Sequence, residues 1–210
     1  MSKLKYMIDQ ISPRVSGLPW VGRYGGLVQT ATQGKTNSIE TYPVACGVTS
    51  VNCKSMDPLH DLVPDDSVSS IFYWEEVSPM RSVSKGPLSK GSPIHYYKAK
   101  GSARLVAWMN LKMLGISGCS TPIEIIMKME SLLTTRATIN FSGTQLGRFT
   151  TSVSRDGQRN AEQLFGKYSY PKSSHYYLTP YDYFSIIVDF ELTYNPACAD
   201  DFVLQPPITC

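Results

Sequence analysis

The segment from Tyr183 to Tyr194 constrains the fold more than any other part of this sequence. Phe184, Ile186, Val188, Phe190, Leu192 and Tyr194 recur at every second position, and only Ile187 breaks the alternation. Successive side chains of a β-strand point to opposite faces, so this alternation predicts a long strand with one buried face. Pro196 cannot donate a ladder hydrogen bond, so the strand is expected to end just before it. A strand longer than the usual length of about five or six residues needs long neighbours.

Five other stretches are candidate neighbours, because they are rich in β-branched and aromatic residues or alternate in polarity. They cover residues 44–49, 69–77, 102–114, 137–141 and 147–154. The stretch at 102–114 also contains Ala, Leu and Met, which favour a helix. We predict a strand there, because its polar residues recur at every second position and Gly115 closes the run.

A capping box marks the start of the main helix. Thr121 can accept a hydrogen bond from the backbone of Glu124, and Pro122 occupies the first helical position, where its missing N–H costs nothing. The sequence therefore predicts a helix at 122–134 that packs on one face of the sheet through Ile123, Ile126, Met127, Met129, Leu132 and Leu133. Short helices are predicted from Lys3 to Ile11, where Ser12 and Pro13 end it, and from a cap at Asp156 through Phe165, where Gly166 ends it.

The predicted fold class is α+β: a mostly antiparallel sheet with long strands, one main helix packed on one face, and extended loops and termini. Residues 1–43 are rich in glycine and are expected to be irregular, forming an N-terminal arm or a covering loop. Residues 44–195 are expected to form a single α+β domain, from which a basic loop at 78–100 projects. Residues 196–210 are expected to run as an extended C-terminal tail.

No motif in the sequence indicates catalysis, a metal site or a cofactor. The three histidines lack the spacing of zinc ligands, and no serine or cysteine nucleophile signature is present. An odd number of cysteines is a poor disulfide framework: Cys46, Cys53, Cys119, Cys198 and Cys210. We therefore expect a non-enzymatic protein with free thiols, made in a reducing cytoplasm. We expect no membrane partner, because no apolar run is long enough for a signal peptide or a membrane span.

Charged residues are distributed unevenly between residues 57 and 123. Six of the seventeen acidic residues lie close together: Asp57, Asp61, Asp65, Asp66, Glu75 and Glu76. None lies between Val77 and Ile123, a span that contains seven basic residues. Such runs are usually solvated faces, and the alternative is an interaction surface with two ends of opposite sign. In that alternative the acidic stretch receives the basic loop of a second copy, or the loop meets DNA phosphates, through Arg81, Lys85, Lys90, Lys98 and Lys100.

The order of elements in the second half of the chain resembles that of head–tail connector and tail-terminator proteins of tailed bacteriophages. The resemblance covers about residues 100–195. It rests on a long strand, a helix opened by Thr121-Pro122-Ile123-Glu124, a strand pair, and a closing strand led by Tyr181-Asp182-Tyr183-Phe184. In that family a small α/β domain forms a ring on the portal or tail tube, and its arms clasp neighbouring subunits.

This resemblance implies a structural protein of the virion that acts through protein–protein contacts. Its partners would be copies of itself in a ring and other virion proteins, such as the portal, an adaptor or the tail tube, with non-specific contact to packaged DNA. A tail-tube or capsid-decoration subunit is the alternative within the structural class. A hydrolase or nuclease with an unrecognised site is the alternative from another class.

Overall fold

The computed structural model describes residues 3–35, 38–45, 62–87, 95–116, 121–141, 145–154, 160–169 and 178–194. In chain order its elements are α1 (Lys3–Ser16), β1 (Arg23–Lys35), β2 (Ser38–Ala45), β3 (Ser70–Pro87), β4 (His95–Asn110), α2 (Thr121–Leu133), β5 (Thr135–Phe141), β6 (Gln145–Ser154), α3 (Ala161–Phe165) and β7 (Tyr181–Tyr194). The strand predicted from the alternating segment is confirmed as β7, and its apolar face is buried from Phe184 to Tyr194. The predicted tail lies outside the described residues.

Within the described residues, seven strands form one mixed sheet in the order β2-β1-β3-β4-β7-β6-β5. β1 runs parallel to β3, and the other five neighbouring pairs are antiparallel. β7 pairs with β4 along its whole length, from Tyr181 opposite Asn110 to Tyr194 opposite Tyr97. The long neighbour that β7 needs is therefore present. The predicted antiparallel character holds only in part, because β1 joins β3 in parallel.

β4 decides between the two predictions for residues 102–114 in favour of the strand. It ends at Asn110, earlier than predicted, and residues 111–115 form turns in which Gly115 has a positive φ of 67°. Both faces of β4 are buried at its centre, since Leu105 packs towards the helices and Trp108 packs on the opposite face. The strands predicted at 69–77, 137–141 and 147–154 correspond to β3, β5 and β6.

Two helices cover one face of the sheet. α1 buries one apolar stripe completely, made of Leu4, Met7, Ile8, Ile11 and Val15. α2 belongs to the same core, which includes the apolar face of β7 together with Phe72 and Trp74 of β3. The prediction of one main helix is therefore only partly right, because α1 has 14 residues and α2 has 13.

The structure corrects the prediction that residues 1–43 are irregular. α1 continues past Pro13 to Ser16, because Val15 in its last turn is buried in the core. The glycine-rich stretch that follows forms β1. Gly26 lies at a register shift with a positive φ of 62°, a conformation that glycine adopts without strain. Glycine here therefore shapes a bulged strand and does not mark a loop.

Tyr24 connects the N-terminal helix to the sheet. Its hydroxyl lies 2.7 Å from Ser12 Oγ of α1 and accepts a hydrogen bond from Trp74 Nε1 of β3 at 2.8 Å. Burial raises the pKa of Tyr24 to about 12. Trp74 in turn packs edge to face against Phe190 of β7, with ring centroids 5.9 Å apart. The N-terminal segment is thus part of the same core as the closing strand.

α2 confirms the predicted helix, and its predicted buried face is right only in part, at Met129 and Leu133. Its buried residues are Ile125, Met129 and Leu133, spaced by four. Ile123 and Met127, assigned to the buried face from the sequence, are 51% and 63% exposed. The first turns of this helix are apolar on nearly every side, so periodicity alone does not distinguish the inner face.

The opposite face of the sheet is covered by residues 62–68 and α3, which pack around Tyr73 and Trp108. The N-cap of α3 is Asn160, whose side chain accepts hydrogen bonds from the backbone N–H of Glu162 at 2.9 Å and of Gln163 at 3.4 Å. The predicted cap, Asp156, lies outside the described residues. Gly166 ends the helix as predicted.

Candidate assembly interface

The outer half of β3 forms an exposed border of the sheet. β3 is buried from Ser70 to Glu75 and exposed at most positions from Glu76 to Pro87. The sequence predicts a projecting basic loop at 78–100, whereas the structure has paired strands at 78–87 and 95–100, because backbone pairing of β3 with β4 requires no apolar pattern. β4 stays paired with β7 as far as Tyr97, so the exposed arm of the hairpin is β3. Residues 88–94 lie outside the described part of the chain.

This border of β3 is open because β1 departs from it. β1 pairs with β3 only from Ile71 to Trp74, and no strand in the described residues pairs with this side of β3 beyond that point. Three register shifts and Pro79 interrupt the border, and such features discourage the addition of another strand. A contact here therefore depends on side chains, and Val77 and Val83 are 47% and 53% exposed.

The four basic candidates that the structure describes do not form one free cationic patch. Lys98 Nζ and Lys100 Nζ both bind Glu191 of the neighbouring β7, at 2.6 Å and 3.3 Å. Lys85 Nζ lies 5.5 Å from the centre of the Tyr97 ring. Arg81, opposite Lys100 in the register, is exposed. The fifth candidate, Lys90, lies outside the described residues.

The two lysines and Glu191 form a clamp that holds β4 to β7. Partial burial acts to raise the pKa of Glu191, but the hydrogen bonds from Lys98 and Lys100 outweigh it and lower the pKa. A carboxyl group with a lowered folded-state pKa contributes stability above its unfolded pKa and loses it as pH falls through the folded pKa. The clamp therefore weakens in acid and is intact at neutral pH.

An open groove of about 500 Å³ lies beside this clamp, on the sheet face opposite to α1 and α2. Serine and threonine residues line it together with charges of both signs, including Arg81, Lys100, Asp189 and Glu191. In the register, Ser102 and Ser152 flank Asp189 on either side. The groove can thus hydrogen-bond a polar segment, and its two carboxylates disfavour a ligand that carries only negative charge.

The four acidic candidates in the described part of the chain, Asp65, Asp66, Glu75 and Glu76, do not share one exposed surface. Asp65 accepts a hydrogen bond from the backbone of Ser67 at 2.6 Å, and Asp66 accepts one from the Tyr181 hydroxyl. Glu76 is exposed, whereas its neighbour Glu75 is only 5% exposed. Burial therefore removes Glu75 from the proposed exposed acidic receiver. Asp57 and Asp61 lie outside the described residues.

Glu75 instead holds residues 166–169 against the sheet. Its Oε1 accepts a hydrogen bond from the Tyr168 hydroxyl at 2.7 Å and forms an ion pair with Lys167 Nζ at 2.9 Å. Burial, together with the negative charge of Glu75, raises the pKa of the Tyr168 hydroxyl, so it remains a donor. Next to this contact, Ser169 forms a bridge with Thr41 of β2. One buried carboxylate thus connects the centre of the sheet to its β2 end.

We expect Tyr168→Phe to lower the free energy of unfolding by about 1.5–3 kcal/mol, because a buried carboxylate loses a hydrogen-bond donor. Chemical denaturation measures the change. The matched control is Tyr96→Phe, a half-buried tyrosine of β4 in the outer part of the hairpin, which should stay within about 0.5 kcal/mol of the wild type. Equal midpoints for Tyr168→Phe and the wild type would show that Glu75 does not depend on this hydroxyl.

The sequence interpretation did not identify Glu191 or Asp189 as part of this surface. Both lie on the polar face of the alternating strand, and this position was the only indication in the sequence that they face a polar surface. That signal does not say which neighbouring strand faces them. Lys98 and Lys100 come opposite Glu191 only because β4 and β7 pair in this register.

The described residues bring no three His, Cys, Asp or Glu side chains together as metal ligands would require. Among the helices that the structure describes, none has the length and apolarity to cross a membrane. Comparison with protein-family models, curated proteins and solved structures found no match for this chain.

Proposed function

We propose that this chain is a ring-forming structural subunit of a bacteriophage virion, of the head–tail connector or tail-terminator type. The observation that carries the proposal is the outer half of β3, an ordered and exposed strand on the border of a seven-stranded sheet. It contributes few side chains to the core of its own domain. Exposed valines with cations around them suit a protein interface that has an apolar centre and a polar rim.

The rest of the fold supports this role by making the border rigid. β3 pairs with β4, and β4 is fixed to β7 along its whole length and by the lysine clamp on Glu191. In a closed ring each subunit presents this border to a different surface of the next copy. The partners we propose are copies of the chain and neighbouring virion proteins such as the portal, adaptor or tail tube. The proposal places the chain in the virion and assigns it no catalytic step.

A second candidate contact is packaged DNA, and four cations on the groove side of the sheet favour it: Arg81, Lys98, Lys100 and Arg148. Asp189 and Glu191 lie on the strand between them, and both repel phosphates. The mixed charges therefore favour a protein partner over DNA. A duplex-binding assay over a series of salt concentrations distinguishes the two, since binding to phosphates weakens steeply with salt.

Mass photometry and negative-stain electron microscopy of the purified protein test the proposed assembly. Closed rings of one size support the connector or terminator role. Open filaments would favour the tail-tube alternative, because a heterologous contact that does not close propagates without limit. A protein that stays monomeric or dimeric at every concentration would contradict the proposal.

We expect the double variant Arg81→Glu with Lys85→Glu to assemble about tenfold more slowly at low salt, because exposed charges steer association. The difference should shrink at high salt, where screening shortens the reach of charge to a few ångström. Light scattering after dilution measures the rate. The matched control is Lys112→Glu with Lys128→Glu, which changes the net charge equally at exposed sites outside the hairpin. Equal rates for the two double variants would exclude this border from the assembly contact.

A further inference from the structure

The sheet is closed at its β2 end. The Thr41 N–H donates to the Ser169 carbonyl oxygen at 3.1 Å, and the Thr41 carbonyl accepts from the Ser169 N–H at 2.8 Å. Ser169 Oγ also donates to the Ile39 carbonyl oxygen at 3.1 Å. Alternate residues of a strand turn their backbone groups to the same side, so Pro43, which has no N–H, shares the outward side with Ile39 and Thr41. Another strand therefore finds no continuous row of partners on β2.

In the described part of the chain, the β5 end of the sheet has no such bridge and no proline. β5 pairs with β6 without a register shift, and no strand in the described part of the chain lies on its other side. Its sequence, Thr135 to Phe141, contains no proline or glycine, has one charged residue, Arg136, and is rich in residues that favour strands. Natural edge strands usually carry prolines, bulges or several charged side chains to prevent the addition of another strand. An edge without them is a docking site for a strand.

The outward-facing positions of β5 follow from its first hydrogen bond. The Thr135 N–H donates to Thr151 Oγ1 of β6 at 3.0 Å, so Thr135 turns its backbone towards β6. Alternation then turns the backbone groups of Arg136, Thr138 and Asn140 away from β6. These three alternate residues thus present their backbone N–H and C=O groups at the open edge of β5.

We infer that β5 pairs with β5 of a second copy, in antiparallel orientation about a two-fold axis. Of the two terminal strands in the described part of the sheet, β5 alone presents a continuous outward row, and the β3 border is interrupted by register shifts, so an edge-to-edge contact between identical copies pairs β5 with β5 and closes as a dimer. An axis at Thr138 places Arg136 opposite Asn140 of the partner subunit, so no like charges face each other. The result is one continuous sheet through two copies. A single short strand pair gives a weak dimer, with a dissociation constant on the order of micromolar.

Thr138→Pro tests this inference because it removes one outward N–H from each copy and leaves the bonds to β6 in place. We expect the dimer dissociation constant, measured by sedimentation velocity over a concentration series, to rise about 10-fold to 100-fold. The matched control is Ile39→Pro, which makes the same change at an outward position of the closed end. It should dimerise like the wild type.

Amide hydrogen exchange of the wild-type protein provides a second measurement that needs no variant. The amides of Arg136, Thr138 and Asn140 should gain protection as the protein concentration rises through the dimer transition. The absence of such protection would overturn the inference, as would a folded Thr138→Pro variant that dimerises like the wild type. Larger assemblies without β5 protection would also overturn it and leave the ring proposal intact. Dimers with β5 protection and no larger assembly would support the β5 dimer and contradict the ring proposal.

Discussion

Phe190→Ala should lower the free energy of unfolding by about 3–5 kcal/mol. Phe190 is 1% exposed at the centre of β7 and packs edge to face against Trp74. Its partner in the register on β4 is Gly101, which has no side chain that could move into the space left by the ring. Truncation therefore leaves a cavity in the shared core of the sheet and the helices, and the cavity adds to the lost transfer free energy.

Urea or guanidinium denaturation, followed by circular dichroism, measures this change. Asp189→Ala is the matched control, because Asp189 is the preceding residue of the same strand and is exposed. It should stay within about 0.5 kcal/mol of the wild type. If the two variants unfold at the same midpoint, Phe190 does not belong to the core, and the assignment of faces on β7 is reversed.

Ile8→Ala should lower the free energy of unfolding by about 2–5 kcal/mol, which is a large effect for a position so near the start of the sequence. Ile8 is completely buried in the middle of α1, in the same core cluster as Phe72 and Met129. An arm that docks only on a neighbouring subunit would contribute nothing to the stability of its own domain. The variant therefore tests whether α1 is part of the domain.

Gln10→Ala is the control for this second prediction, because Gln10 is exposed on the same helix. Alanine favours a helix at least as much as glutamine, so we expect no loss of stability. Denaturation of dilute protein, below any assembly transition, separates folding from association. If Ile8→Ala changes only the assembly and not the unfolding midpoint, α1 is an arm and does not stabilise its own domain.

The candidate site was predictable in part. The sequence shows the basic residues of the hairpin as a run of positive charge, and Arg81 and Lys85 are exposed, as a contact surface requires. The partners of Lys98 and Lys100 were not visible, because Glu191 lies on a strand far away in the chain. Glu75 illustrates the same limit: a carboxylate in an acidic run is usually solvated, but this one is buried.

The sequence by itself determined the elements whose pattern is local. β7 follows from alternation over twelve residues, and α2 follows from its capping box and apolar content. Alternation of polar and apolar residues also favoured a strand over a helix for β4. These predictions succeed because the physical cause, the spacing of side chains along one element, lies within a few neighbouring residues.

Only the tertiary structure decided which surfaces these elements share. It placed α1 and the bulged β1 in the core, buried Ile125 on α2 while leaving Ile123 and Met127 exposed, and closed the β2 end of the sheet with Ser169. The contact between Tyr168 and Glu75 joins residues 93 positions apart. Pairings of this kind leave no local periodicity, because they depend on the strand order and register that arise when the whole sheet forms.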